Sequence, residues 1–235
     1  MKIKSFILSL FVSALLSVNP VKAKTEKREV ASFSEISLKI AGTLYLEQGS
    51  VQGIKIEAEE ATLKEIITEV KDRRLIIRFP AQSYFQRKDP GEIIIRITVP
   101  EVDGLSVSGA GDIIAKETIK TRILDMNVSG SGNIKLENLD ADRVLNTISG
   151  SGNIMINDGG PSSELTAAIS GSGNLKASGF EAKNIEVKIA GSGNCWVNSN
   201  GQIKAKIAGS GNVFYSGNPS VESTIAGSGN VREAR

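Results

Sequence analysis

The chain has 235 residues, with 28 basic and 26 acidic side chains, no histidine and a formal net charge of +2. That balance provides no field of one sign that would argue for nucleic acid as a partner, and none is expected. Without histidine there is no Ser-His-Asp triad, no histidine-ligated zinc and no imidazole acid–base catalysis.

Lys2 and Lys4 precede an apolar run from Phe6 to Val18 and the small-residue pattern Val21-Lys22-Ala23. This order predicts an export signal over residues 1–23, cut after Ala23. The apolar run is shorter than the roughly 18 to 20 residues that a membrane span needs, which argues against an uncleaved anchor. No later stretch is long enough either, so the mature chain is expected to have no transmembrane segment. Its expected place is outside the cytoplasm: periplasm, cell surface or beyond. Residues 24–32 are charged and read as a disordered lead.

Residues 33–100 read as an N-terminal β region. Ile36, Leu38 and Ile40 alternate with polar residues, Leu44 to Leu46 continue the pattern, and Ile54 and Ile56 follow Gly53. Glu59 to Lys64 carries helix formers and predicts one helical turn. Ile67–Val70 and Leu75–Phe79 flank four polar residues as a hairpin would. Pro80 to Gly91, with Tyr84, Phe85, Arg87 and Lys88, interrupts the alternation and predicts a surface loop. Ile93 to Val99 is a further strand, ended by Pro100.

From residue 101 to 235 one motif returns: Ile148-Ser149-Gly150-Ser151-Gly152-Asn153-Ile154 and its copies beginning at Val107, Val128, Ile169, Ile189, Ile207 and Ile225. The successive steps are 21, 20, 21, 20, 18 and 18 residues. A fixed period of this size marks a solenoid, whose repeats bury their apolar faces only against their neighbours. Before each corner, inward candidates such as Ile185, Val187 and Ile189 alternate with Glu186 and Lys188, as in a strand buried on one face. A shorter strand follows, with Ile134 and Leu136, Ile154 and Ile156, Leu175 and Ala177, or Cys195 and Val197 inward. Segments such as Asn157–Glu164 and Ser216–Ser220 then read as loops. Strands in one register can stack in parallel only if the chain coils, which predicts a mostly β fold, a right-handed parallel β-helix rising about 4.8 Å per turn, with the N-terminal strands closing one end. Seven corners give roughly 30 Å of rod.

The corner is scaffold rather than ligand site. A phosphate loop would be followed by a helix and usually a lysine, and here a strand follows. Calcium repeats run at nine residues and end in aspartate, whereas six of these seven corners carry a neutral asparagine. Asn133, Asn153, Asn174, Asn194, Asn212 and Asn230 are therefore expected to form a ladder of amide hydrogen bonds, each worth about 0.5–1.5 kcal/mol. Neither a metal nor a cofactor is expected. Cys195 takes an inward position and reads as an inert core thiol.

β-Helices also carry glycan-cleaving sites, which need acidic residues gathered on adjacent turns. Here the outward column Glu186, Lys204, Glu222 alternates in sign, as cross-strand charge pairs do. Asp140, Asp142 and Asp158 fall in the segments read as loops. The outward middle position of the short strand offers more: Ile114, Lys135, Met155, Lys176, Trp196, Phe214 and Arg232 from turn to turn. Trp196 and Phe214, with Lys176 and Met155 beside them, form the candidate ligand-binding surface. It suits sugar rings of an envelope or host glycan, or a hydrophobic protein partner; the other reading is that the two rings cover an edge of the core. Val231–Arg235 is too short to cap a last turn, so that edge is expected either to be blunted by Arg232, Glu233 and Arg235 or to meet a second copy of the chain.

The repeated Ser-Gly-Ser-Gly-Asn-Ile, with Phe33-Ser34-Glu35-Ile36, Glu65 to Lys71 and Ile97-Thr98-Val99-Pro100 upstream, resembles the putative auto-transporter adhesin, head GIN domain family. The resemblance covers about residues 30–231 and implies an exported β-helical domain of bacterial envelopes with an adhesive role. The combined expectation is a non-catalytic, adhesin-like binding module. Its rivals are a glycan-active enzyme and a passive structural protein of the envelope.

Overall fold

Period-2 alternation becomes strand wherever it occurs, and the glycine corners fold those strands back over one another. The computed structural model describes residues 23–81 and 90–234. The expected export signal, apart from Ala23, and the middle of the loop expected at 80–91 lie outside the described residues. In chain order the elements are β1 (Lys24–Arg28), β2 (Glu35–Leu38), β3 (Thr43–Gln48), β4 (Gly53–Ala58), α1 (Glu60–Glu65), β5 (Ile67–Lys71), β6 (Arg74–Arg78) and β7 (Ile94–Val99). There follow β8 (Gly104–Gly109), β9 (Asp112–Gly130), β10 (Asn133–Gly150), β11 (Asn153–Gly171) and β12 (Asn174–Gly191). The last are β13 (Asn194–Asn198), β14 (Gln202–Gly209), β15 (Asn212–Ser216), β16 (Ser220–Gly227) and β17 (Asn230–Glu233).

From β8 onward every turn pairs in parallel with the one before it, and the corners fall in a single column. Gly109 aligns with Gly130, Gly130 with Gly150, Gly150 with Gly171, Gly171 with Gly191, Gly191 with Gly209 and Gly209 with Gly227. The chain is thus a parallel β-helix. Two glycines per corner have separate reasons. Gly150 has φ 119°, closed to most L-residues, and a Cβ there would sit 2.6 Å from the Gly130 carbonyl oxygen. Gly152 has no such φ, but a Cβ on it would press on the Gly132 carbonyl and come within 2.5 Å of Val128 Cγ1. The close approach lets the Gly130 carbonyl accept from the N–H groups of both Ser151 and Gly152, each at 2.9 Å.

Two expectations need correction. The segments between the short strand and the next repeat are not loops in the longer turns: β9, β10, β11 and β12 run unbroken from corner to corner. Burial shows why. In β10 the inward residues are Ile134 and Leu136, then Leu139 and Ala141, then Val144, Asn146 and Ile148. The alternation slips between Leu136 and Leu139 and again between Ala141 and Val144, so the strand bends twice and has three sides. Turns of 20 or 21 residues keep the third side, where Phe180 is fully buried opposite Gly159. The turns of 18 residues shorten it to true loops at 199–201 and 217–219.

The second correction concerns the N-terminus. Residues 24–32 do not form a disordered lead throughout, because β1 pairs antiparallel with β4 over Lys24–Arg28. Exposed charge accounts for its composition, since an outermost strand needs only backbone partners on one side. The hairpin of β5 and β6 is present, its turn carrying Asp72 and Arg73 at φ 50° and 60°. The end of the rod is built out of order: β2 lies between β6 and β8, and β3 between β7 and β9, all in parallel. β4 then covers β7 antiparallel. At the other end β16 is exposed along its length, with Val221 and Ile225 37% and 38% accessible.

Candidate functional site

The amide ladder comes first because it fixes the turns that present the surface beside it. Asn153 Nδ2 donates to Asn133 Oδ1 at 2.8 Å, Asn174 to Asn153 at 2.9 Å, Asn194 to Asn174 at 3.2 Å and Asn212 to Asn194 at 2.9 Å. Each amide gives to the turn before it and accepts from the turn after. The series starts at Asp112, whose Oδ1 accepts from both the side chain and the backbone of Asn133, at 2.7 and 3.1 Å. An acceptor-only carboxylate suits the end of a chain in which every other member donates. Asn230 departs from the expectation. It is exposed on the outermost turn and, among the described residues, makes no side-chain bond to Asn212, though its N–H reaches the Gly211 carbonyl at 3.3 Å.

Next to the ladder, two residues along each short strand, lies the outward column. Register places Ile114, Lys135, Met155, Lys176, Trp196, Phe214 and Arg232 on successive turns. The Trp196 and Phe214 rings lie 5.1 Å apart, centroid to centroid, with 16° between their planes. Lys176 Nζ sits 6.0 Å from the Trp196 ring and the Arg232 guanidinium 5.0 Å from that of Phe214. The four side chains therefore stack cation, ring, ring, cation. The rings overlap along the rod axis instead of lying side by side, so each offers its outer rim and only the offset part of a face. The cations stand over the rings, not beside them. Both rings are half-buried, while Lys176 and Arg232 are exposed. Met155 is half-buried one turn below Lys176. Trp196, Phe214 and Arg232 border a hollow of about 610 Å³ that Glu233 and Ala234 close on one side. Met155 to Phe214 are flanked by the ladder asparagines on one side and by Asn157, Ser178, Asn198 and Ser216 on the other, where register also brings Glu181 opposite Asn198.

The remaining candidates separate. Cys195 is fully buried, and burial pushes its thiol up to about 12, which leaves no thiolate at neutral pH. Asp140 pairs with Lys120 at 4.0 Å, and Asp158 accepts from the N–H of Gly159 at 2.8 Å. Asp142 contributes its backbone carbonyl to the hydroxyls of Ser162 and Ser163. These three therefore do not share one site. Lys204 meets Glu222 on the next turn at 3.6 Å, whereas Glu186 pairs along its own strand with Lys188 at 2.8 Å. Burial raises the carboxyl of Asp125, and Glu35 adds to the effect, against the hydrogen bond from Asn127 and the charge of Arg74. Among the described residues no three Cys, Asp or Glu side chains gather as metal ligands.

Sequence reasoning missed a hollow of about 430 Å³ on another face, where small residues follow the last inward position of each turn, Ala190, Ala208 and Ala226 among them. The signal was present, since a residue this small recurs there in every repeat. Lys188 and Lys206 stand at its edge.

The family model of the putative auto-transporter adhesin, head GIN domain, matches residues 32–219. A putative adhesin from Bacteroides fragilis shares 24% identity and a TM-score of 0.81 over 91% of this chain and 97% of its own. A putative adhesin from Parabacteroides distasonis shares 26% identity with TM-score 0.70, covering 92% and 98%. A putative lipid binding protein from the same species has the same fold, at 22% identity, TM-score 0.72 and coverage of 91% and 97%. No protein of curated function matches the chain. No helix among the described residues is long and apolar enough to cross a membrane.

Proposed function

The chain belongs to the family of the putative auto-transporter adhesin, head GIN domain, and on that premise we propose that it is an exported, non-catalytic binding module of the cell envelope. Its contact surface is the column Lys176, Trp196, Phe214, Arg232, with Met155 at its lower end. One observation carries this reading: two aromatic rings and two cations, stacked at 5.0 to 6.0 Å, stand on the solvent side of a strand whose inner side is fully packed. A core needs no aromatic pair outside it, and ordered aromatic and cationic side chains are the usual anchors of a recognition surface. The neutral amides and hydroxyls on either side supply hydrogen bonds for a polar ligand, which favours a glycan. The export signal read in residues 1–23 supports a position outside the cytoplasm, and the family description and the solved relative at 26% identity, named a putative adhesin, point the same way.

The test is attachment. Trp196→Ala combined with Phe214→Ala should weaken binding to envelope or host glycans by about 30-fold or more, the loss expected when two anchors are removed. Circular dichroism and melting should stay close to wild type, since both rings lie outside the core. Undiminished attachment removes the proposal. Release of shortened saccharides from the same panel would instead favour a glycan-cleaving enzyme.

A further inference from the structure

The outward column does not end where the repeats begin. Because β3 and β7 are inserted out of order, Tyr45 stands opposite Ile114, Arg96 opposite Tyr45 and Lys55 opposite Arg96. Tyr45 repeats the arrangement at Trp196: the Arg96 guanidinium lies 5.4 Å from its ring and Lys116 Nζ 5.5 Å. From Arg96 to Arg232 the column runs eight steps, about 38 Å at ~4.8 Å per turn. Along it cations recur every two or three turns, at Arg96, Lys135, Lys176 and Arg232, and no carboxylate occupies it. Among the described residues only Lys135 of these four is paired with an acid, Glu137 at 2.7 Å.

Resting on the reading above, we propose that this surface binds a linear polyanionic polysaccharide laid parallel to the rod axis, its carboxylate or sulfate groups meeting Arg96, Lys135, Lys176 and Arg232 and its rings packing on the rims of Tyr45, Trp196 and Phe214. The stripe is one residue wide and carries cations without a carboxylate, on a chain whose net charge is only +2, so the ligand must be narrow and extended. A single-stranded nucleic acid is the other narrow polyanion, but its bases stack on open aromatic faces. Here Trp196 and Phe214 cover each other at 5.1 Å, and their outer faces carry cations. A folded protein needs about 800 Å² of broad patch, which a stripe one residue wide does not offer.

The experiment uses the mature chain and reads binding by titration calorimetry, which serves every variant; in chains that keep Trp196, the one tryptophan in the sequence, its fluorescence reports from the stripe itself. The probes are oligogalacturonates of three and ten units, dextran sulfate, neutral oligogalactan of ten units and oligo-dT. The ten-unit uronate, dextran sulfate or both should bind at least about 10-fold more tightly than the trimer and weaken as salt rises. Which of the two binds distinguishes carboxylate from sulfate. Arg96→Gln, at an exposed cation of the stripe, should weaken long-chain binding about two- to five-fold, the exposed cation range. Equal affinity for long and short chains, equal binding of the neutral oligogalactan or of oligo-dT, or indifference to Arg96→Gln overturns this inference. Neutral glycan binding that disappears with Trp196→Ala and Phe214→Ala would do so while leaving the broader proposal standing; glycan binding of any kind that ignores those two substitutions defeats both.

Discussion

In residues 104–234 each turn lies on the turn that precedes it in sequence, whereas residues 35–48 lie between two turns that come later, 74–99 and 104–115. The two regions share a core: Leu38, Leu44, Leu75 and Ile95 are as fully buried as Ile134 or Ile154. They differ in how they corner. The repeats use two glycines per turn, while the inserted turn passes through Lys39, Ile40 and Ala41 before Gly42, and Ile40 is itself buried. The difference teaches that stacking demands inward apolar residues in register, not consecutive order. A glycine is demanded wherever a corner lies directly on the backbone of another: a Cβ on Gly111 would press on the Ile40 carbonyl oxygen, although that inserted corner has no glycine pair of its own.

The sharpest way to break that comparison is to add a methyl group to each kind of corner. Gly152→Ala drives a Cβ into the backbone of the turn below and should cost at least about 4 kcal/mol, measured by denaturant unfolding. Gly42→Ala meets Ile93 at 3.0 to 3.1 Å, a contact that a small shift relieves, and should cost about 1 kcal/mol. Equal losses would mean that the two corners are held alike.

A smaller effect is expected along the ladder. Asn174→Ala removes the bond to Asn153 and strands the side-chain and backbone donors of Asn194, both at 3.2 Å. A loss of about 2 kcal/mol should follow, without loss of glycan attachment. Asn230→Ala, at the unbonded last position, should stay within about 0.5 kcal/mol of wild type. An unchanged melting temperature for Asn174→Ala would count against the ladder as a source of stability.

The smallest effect should have the opposite sign. Among the described residues Asn146 is the one asparagine turned into the core; its Nδ2 reaches the Thr166 carbonyl at 3.1 Å, but its Oδ1 is buried with no partner among them. In register it lies between Met126 and Ala167. Asn146→Val should raise stability by about 1 kcal/mol, read as a higher midpoint at unchanged slope, because a buried acceptor without a donor costs more than its one remaining bond returns.

Much of this is legible in the sequence, and the reason is translation. Once the glycine-asparagine corner recurs in register, every residue at a fixed offset from it shares an environment. Cys195 inside, Trp196 and Phe214 stacked outside, and five of the six ladder asparagines all follow from that one repeat. The third side escaped notice because its inward residues, Ile119, Leu139, Gly159 and Phe180, do not resemble one another. A position that must only fill space is free to vary in size as long as its neighbour compensates. The strand at Lys24–Arg28 escaped because an outermost strand is held by its backbone, which leaves no apolar pattern to find.

The sequence by itself determined the coil, its corners and the column that faces solvent, because a strand alternates its faces and a stacked turn repeats its predecessor. Only the tertiary structure decided the order of stacking at the N-terminal end, and with it the meeting of Tyr45, Arg96 and Lys55 with the column of Trp196. Parallel strands form the same hydrogen bonds whichever segment arrives next to them, so the local pattern of an inserted turn cannot name its neighbours.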